Sequence, residues 1–198
     1  QTRQPIMVVN RRLRKHPSHA VFCDHKGSAF NAAMALIERG HREIAFITGS
    51  LDSPTALERL TGYKEALRQA DIVVEPQRIV EGKWTPACGA KAVATLLANN
   101  VAFSALIASN DDMAVGALRQ LTQAGLRVPD DVSLLGFDDI PIAPFLLPAL
   151  SSVKDPVTGM IYEVIDRLIS MLDGGDMTPQ QALISGLVLR ESVSDAAS

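Results

Sequence analysis

Four side chains of the types that bind polyols come shortly after predicted strands: Arg59, Trp84, Asn110 and Asp138. Carboxylate, amide and guanidinium groups pair with vicinal hydroxyls, and an indole stacks on the C–H face of a sugar ring. In an open parallel sheet, ligands bind beyond the carboxyl ends of the strands. The four positions therefore predict one polyol-binding site at a sheet edge.

Each of these features also has a purely structural interpretation. Asp111 and Asp112 stand where a helix is predicted to begin, and aspartate is a common helix N-cap. Arg59 taken alone is typical of a solvated helix face. If Arg59 instead binds the ligand, its removal should abolish binding and hardly change thermal stability. Trp84 taken alone is typical of partly buried packing. The coincidence at successive strand ends is what favours a ligand site.

Signals of catalysis and of metal or cofactor binding are weak. The sequence holds no GxSxG, HExxH, P-loop or GxGxxG motif, and no nucleophile–base pair follows the strands. Five potential metal ligands lie close together in the sequence: His16, His19, Cys23, Asp24 and His25. Their spacing matches no zinc template, and neighbours in an extended segment point to opposite faces. We predict no enzyme, no metal and no cofactor.

The elements that would position the polyol site alternate between short apolar strands and amphipathic helices. The predicted strands are Met7–Val9, Ala20–Cys23, Ile44–Ile47, Arg78–Val80, Ala105–Ala108, Val132–Leu135, Leu150–Val153 and Leu187–Leu189. The predicted helices are Ser28–Arg39, Ser53–Gln69, Cys88–Ala98, Asp112–Ala124 and Pro156–Leu172. Strands joined by crossover helices pair in parallel, so we predict an α/β fold with a parallel sheet and helices on both faces.

Composition excludes several classes of protein. The 198 residues are 47% apolar and 21% charged, which excludes intrinsic disorder and coiled coil. With a formal net charge of −3, the chain is not a polyanion binder by charge alone. Cys23 and Cys88 lack a CxxC spacing and indicate reduced thiols, although two cysteines also permit a disulfide. No signal peptide and no membrane span are predicted.

Two features suggest that this chain contacts further protein. A core-like strand begins almost at Gln1 without an initiator methionine, so we expect a fragment of a longer chain. The segment Ile140–Leu150 is apolar throughout although it occupies a connecting position. Such a segment is either buried under its own lobe or is an interface with another chain.

Four motifs resemble the LacI/GalR family of transcriptional repressors. The most specific runs from Gly125 to Asp139 and includes Val-Pro-Asp-Asp-Val-Ser and Gly-Phe-Asp-Asp. The others are Gly40–Gly49, Ser53–Tyr63 and Ser109–Ala117. The motifs occur in the family's order and spacing, and the resemblance runs from Pro5 to the C-terminus.

The resemblance implies a class I periplasmic-binding-protein-like core with two α/β lobes and an effector in the cleft. Residues 1–23 would then end the N-terminal lobe, which is otherwise largely missing. Residues 24–153 would form the C-terminal lobe, 154–184 would return to the N-terminal lobe, and 185–198 would supply the last strand and tail of the C-terminal lobe. The family's DNA-binding helix-turn-helix would lie upstream of this chain.

The resemblance also carries over site residues one by one. Effector contacts are expected at Arg59, Trp84, Asn110 and Asp138 in the second lobe, and at Asn10 and Asp155 at the first lobe and hinge. Cys23 replaces an aromatic residue found in some members, so no contact is assigned to it. Because the family acts as a dimer, the interface is expected to consist of the helices after Trp84 and Asn110 and of the apolar segment, through Ile142, Phe145, Leu146 and Leu147.

The resemblance therefore predicts the sensing core of a cytoplasmic, sugar-responsive repressor that dimerises, contacts no membrane, and meets operator DNA only through the missing N-terminal domain. Narrower similarity at Pro5–Lys15, Thr48–Tyr63 and Ser151–Pro156 points to members that respond to β-glucosides such as salicin. The alternative is a periplasmic sugar-binding receptor of a transport system, which has the same fold. A secretory signal in the full-length gene would favour the receptor, and an upstream helix-turn-helix would favour the repressor.

Overall fold

The structure, a computed structural model, describes residues 4–10, 13–175, 178 and 182–196. The predicted segments 1–23, 154–184 and 185–198 therefore lie partly outside the described residues. The chain forms two compact units. Unit 1 consists of Gln1–Asp24 and Asp155–Ser185, and unit 2 of His25–Lys154 and Gly186–Ser198.

Strands and helices alternate as the apolar pattern predicts. The strands are β1 (Val8–Val9), β2 (Ala20–Val21), β3 (Ile44–Thr48), β4 (Ile79–Glu81), β5 (Ala105–Ala108), β6 (Ser133–Phe137), β7 (Ser151–Lys154) and β8 (Gly186–Val188). The helices are α1 (His25–Glu38), α2 (Pro54–Gln69), α3 (Pro86–Ala98), α4 (Asp111–Gln123) and α5 (Val157–Leu172).

Unit 2 is a three-layer arrangement around a six-stranded sheet of order β4-β3-β5-β6-β7-β8. The helix pair α1 and α2 covers one face, and the pair α3 and α4 covers the other. Strand β3 shows why: Ile44 and Phe46 pack toward α1 and α2, whereas Ala45 and Ile47 pack toward α3 and α4. A strand buried on both faces reads as a continuous apolar run, which is the pattern found in the sequence.

The last strand departs from the all-parallel expectation. Strands β3 to β7 pair in parallel, but β8 pairs antiparallel with β7, with Lys154 opposite Gly186. The chain leaves unit 2 at the end of β7 and re-enters it beside that end, so β8 must run back along its neighbour. The five parallel strands direct their carboxyl ends to one edge, where the predicted binding residues follow.

Unit 1 contains the parallel pair β1–β2 and helix α5 around a small core of Val21, Cys23 and Met160. Within the described part of unit 1, Met160 is the buried residue of α5. The apolar side chains that α5 exposes are Val157, Ile161, Tyr162, Ile165, Ile169 and Leu172. None of the helices in the described ranges has the length and apolar character needed to cross a bilayer.

Candidate functional site

Arg59 is the centre of the candidate site in unit 2. The residue is 2% exposed, and one guanidinium nitrogen donates to the carbonyl of Ser109 at the end of β5. Its Cζ lies 4.3 Å from the ring centroid of Phe137, the last residue of β6. Its Nη2 lies 3.6 Å from Oδ1 of Asp138. The interpretation of Arg59 as a solvated helix residue is therefore wrong.

This burial follows from the position of Arg59 on α2, the helix that follows β3 and covers the sheet. A buried cation is tolerated where carbonyl, aromatic and carboxylate partners replace water. The guanidinium presents its donors in a fixed planar fork, which suits two neighbouring hydroxyls of a ligand.

Asp138 supplies the exposed carboxylate of the site. Its side chain is 41% exposed, in contrast to the 3% of Arg59. Its φ of 103° lies in the left-handed region, where a non-glycine residue is strained. A carboxylate held beside a buried cation while still reaching solvent can accept hydrogen bonds from ligand hydroxyls.

Asn110 caps α4 and also holds the segment that carries Trp84. Its Oδ1 accepts from the Met113 amide at 3.0 Å, and its Nδ2 donates to the Trp84 carbonyl at 3.2 Å. The N-cap is therefore Asn110, and the alternative that Asp111 or Asp112 caps this helix is wrong. An amide has two N–H donors and two oxygen lone pairs, so these bonds leave Asn110 capacity for a ligand.

Trp84 is partly exposed and is fixed against the loop that follows β3. A Cβ added to Gly49 would lie 1.9 Å from Cζ2 of the indole, so this contact requires glycine. Trp84 itself has a φ of 63°, and its carbonyl accepts from Asn110. The ring therefore has a defined place beside the ends of β3 and β5.

The structure links the four predicted residues of unit 2 through hydrogen bonds, one ion pair and one step along the backbone. Asn110 joins Trp84, and Ser109, its chain neighbour, joins Arg59, which in turn meets Asp138. Sequence reasoning did not single out Ser109 and Phe137, and the aromatic residue directly before Asp138 was the available signal. Asn10 and Asp155 belong to unit 1, where the Asn10 amide donates to Val21 and the Asp155 carboxylate accepts from Ser185.

No group of three or more His, Cys, Asp or Glu side chains suited to a metal ion occurs among the described residues. Cys23 lies in unit 1, where its sulfur donates to Met160 Sδ at 3.5 Å, and Cys88 lies in unit 2 on α3. Neither of these two described cysteines is part of a disulfide.

A fully buried carboxylate, Asp111, lies directly beneath the loop that carries Asp138. Its Oδ1 accepts from the Ser152 hydroxyl at 2.7 Å and its Oδ2 accepts from the Ile140 amide at 2.9 Å. Burial raises the pKa of Asp111 from 3.8 to about 6, the Asp138 and Asp139 carboxylates add to this rise, and the two hydrogen bonds oppose it. The folded state therefore holds this proton more tightly than the unfolded chain does.

The stability contributed by Asp111 is thus fully present below about pH 4 and is lost as the pH rises through about 6. We expect Asp111→Asn to remove this loss. The free energy of unfolding of Asp111→Asn minus that of the wild type should increase by about 3 kcal/mol as the pH rises from about 4 to about 7. Urea unfolding of both proteins across this range measures the change, and a difference that stays constant with pH would contradict it.

The apolar segment after the 138–140 loop turns several of its side chains to solvent. Phe145 and Leu147 are 77% and 90% exposed, and Ile142 is 51% exposed. Leu146, in contrast, packs against the core beneath α3 and α4. The two ends of the segment are joined by Arg190, which donates to the Leu150 carbonyl at 2.6 Å and pairs with Asp139 at 2.6 Å.

Comparison with known proteins agrees with this arrangement. A family described as a periplasmic binding protein-like domain matches residues 33–193. The HTH-type transcriptional regulator AscG of Escherichia coli (strain K12) is 59% identical over 190 residues, which cover 96% of this chain and 56% of that relative. The chain thus spans about half the length of this relative.

Two solved structures are similar along most of the chain. One is a sugar-binding transcriptional regulator of the LacI family from Escherichia coli complexed with phosphate, with a TM-score of 0.93, 58% identity, and coverage of 97% of this chain and 69% of that chain. The other is a transcriptional regulator CelR–cellobiose complex, with a TM-score of 0.81, 32% identity, and coverage of 96% and 54%.

The fold and these similarities define a regulatory core of periplasmic-binding-protein type. The chain belongs to the LacI family of transcriptional regulators. The family resemblance and the fold class predicted from the sequence are both confirmed.

Proposed function

We propose that this chain is the effector-sensing core of a sugar-responsive transcriptional repressor. The observation that carries the proposal is the buried Arg59 guanidinium, held between Ser109 and Phe137 with the exposed Asp138 carboxylate 3.6 Å away. A cation and a carboxylate at the carboxyl ends of parallel strands suit vicinal hydroxyls. Trp84 and Asn110 add a stacking surface and an amide on the same side.

The effector we propose is a β-glucoside. A relative that is 32% identical was solved with cellobiose, a disaccharide whose glucosyl unit is β-linked. The partly exposed indole of Trp84 gives an apolar plane for a sugar ring or an aryl aglycone. Asn10 and Asp155 are proposed as the contacts from the N-terminal lobe, on the strength of the family resemblance.

The proposed mechanism is a population shift without chemistry on the sugar. The effector favours one arrangement of the protein and operator DNA favours another, so each ligand weakens the binding of the other by the same factor. The protein acts in the cytoplasm as a homodimer, with no cofactor and no membrane contact. The DNA-binding part belongs to the full-length protein, because two relatives of which this chain covers only 56% and 57% are named as HTH-type regulators.

We expect the full-length protein to select specific duplexes from a random-sequence pool, and salicin to change their retention in a mobility-shift assay. Residues 1–198 alone should retain none selectively at moderate salt, because the chain has a net charge of −3. A periplasmic receptor, the alternative function, would bind salicin and select no duplex. Full-length protein that selects duplexes but ignores every β-glucoside would overturn the proposed effector and keep the repressor.

A further inference from the structure

We propose that Asp111 and Ser152 are positioning residues that hold the Asp138 carboxylate beside Arg59, and so set the effector affinity. This inference rests on the proposed function of Arg59 and Asp138 as effector contacts. Neither Asp111 nor Ser152 is exposed, and neither needs to touch the sugar. Their effect would pass through the backbone of residues 138–140.

Three consecutive backbone amides of the 138–140 loop are anchored from below. The Asp138 amide donates to the Val153 carbonyl at 2.8 Å, and the Asp139 amide donates to the Ser152 hydroxyl at 3.0 Å. The Ile140 amide donates to Asp111 Oδ2 at 2.9 Å. Because the Ser152 hydroxyl also donates to Asp111 Oδ1 at 2.7 Å, the second and third anchors form one connected network.

The loop needs this support because its backbone is strained. Asp138 and Asp139 have φ values of 103° and 53°, both in the left-handed region, although neither is glycine. Such a conformation persists only where surrounding contacts fix it. Gly136 leaves space for the Asp111 carboxylate, because a Cβ at this position would lie 2.0 Å from Asp111 Oδ1.

The anchored loop also separates its two carboxylates. Asp139 is drawn to Arg190 at 2.6 Å, with Lys154 Nζ at 3.9 Å, whereas Asp138 lies beside Arg59. A rotation of the loop backbone would displace both carboxylates together. The network beneath the loop therefore decides which carboxylate meets the guanidinium.

The test measures salicin affinity by calorimetric titration of the full-length protein. Ser152→Ala should weaken binding about tenfold, which corresponds to the loss of one buried, charge-assisted anchor. The matched control is Ser133→Ala. Ser133 is as buried as Ser152, and its hydroxyl accepts from the Ser194 amide at 3.0 Å. It is the first residue of β6 and thus lies at the end of that strand opposite to the 138–140 loop. Ser133→Ala should lower the melting temperature and leave the salicin affinity unchanged.

A double-mutant cycle with Asp138→Asn separates positioning from a general loss of structure. If Ser152 acts through the Asp138 carboxylate, Ser152→Ala should cause little further loss of affinity once Asp138→Asn is present. An equal loss in both backgrounds would overturn the inference. Asp111→Asn, which keeps the side-chain shape, is measured in the same cycle and decides the question if Ser152→Ala does not fold.

The cycle also distinguishes this inference from the proposed function. If Asp138→Asn alone binds salicin as the wild type does, the proposed effector site is wrong. If Asp138→Asn weakens binding but both Ser152→Ala and Asp111→Asn bind normally, the site stands and the positioning role is refuted.

Discussion

Replacing Arg59 by lysine is expected to weaken salicin binding by the full-length protein by about tenfold to a hundredfold. Lysine keeps the positive charge and can still reach one acceptor. It cannot reproduce the planar fork that bonds the Ser109 carbonyl, stacks on Phe137 and reaches Asp138 at the same time. Arg59→Ala should abolish measurable binding, because it also removes the charge.

Calorimetric titration beside a melting curve measures affinity and stability separately. Both variants should also lower the thermal midpoint, since Arg59 is only 2% exposed. The expectation from sequence that removing Arg59 leaves stability unchanged is therefore not supported by the structure. Unchanged salicin affinity in Arg59→Lys would remove Arg59 from the site.

Arg78→Lys is the matched control for this loss of stability. Arg78 is also a buried arginine, 9% exposed, and its Nε donates to the Ala102 carbonyl at 2.9 Å while Nη2 pairs with Glu43 at 2.8 Å. It precedes β4 and thus lies at the opposite end of that strand from Trp84. Arg78→Lys should lower the melting temperature and leave the salicin affinity unchanged. A loss of affinity that occurs only in the Arg59 variants therefore reports on the site.

Local apolar runs were enough to predict most elements of the sheet. The strand Ala105–Ala108 has the bounds predicted for it, because its apolar run is closed by Ser104 and Ser109. β6 runs two residues further than predicted, to Phe137, since pairing with β7 continues past Leu135. The antiparallel direction of β8 could not be predicted, because it depends on where the chain re-enters unit 2.

The residue types of the candidate site were predictable, but their surroundings were not. Helical periodicity assigns Arg59 to a helix without telling which strand ends lie beneath it. Aspartate near a helix start suggests a cap, yet Asn110 takes that role and Asp111 turns inward to the Ile140 amide. These assignments depend on contacts between segments far apart in the sequence, and β-strand order decides them.

Substitutions in the exposed apolar segment are expected to have the second large effect, the loss of dimerisation. We expect the full-length protein to be a dimer and Phe145→Asp combined with Leu147→Asp to convert it to monomers. The two side chains are 77% and 90% exposed on one short segment, and each apolar side chain buried in an interface contributes about 1.5–3 kcal/mol. In the double variant, formation of the interface would instead remove water from two neighbouring carboxylates, which is unfavourable.

The choice of Leu147 rather than Leu146 follows from the structure. Leu146 packs against the core, so Leu146→Asp should lower the melting temperature of unit 2 itself. At low protein concentration, the double variant at Phe145 and Leu147 should keep the melting temperature of the folded monomer, since both side chains already lie in solvent. This difference separates loss of the interface from loss of the fold.

Sedimentation velocity at micromolar concentration decides the matter, with Val73→Asp as the control. Val73 is an apolar residue of similar exposure, 74%, but it lies in the connection between α2 and β4 and is not part of the segment Ile140–Leu150. The control should stay dimeric, because a single exposed apolar side chain does not make an interface. A wild-type protein that is already monomeric under these conditions, or a double variant that remains a dimer, would show that the exposed segment serves another purpose.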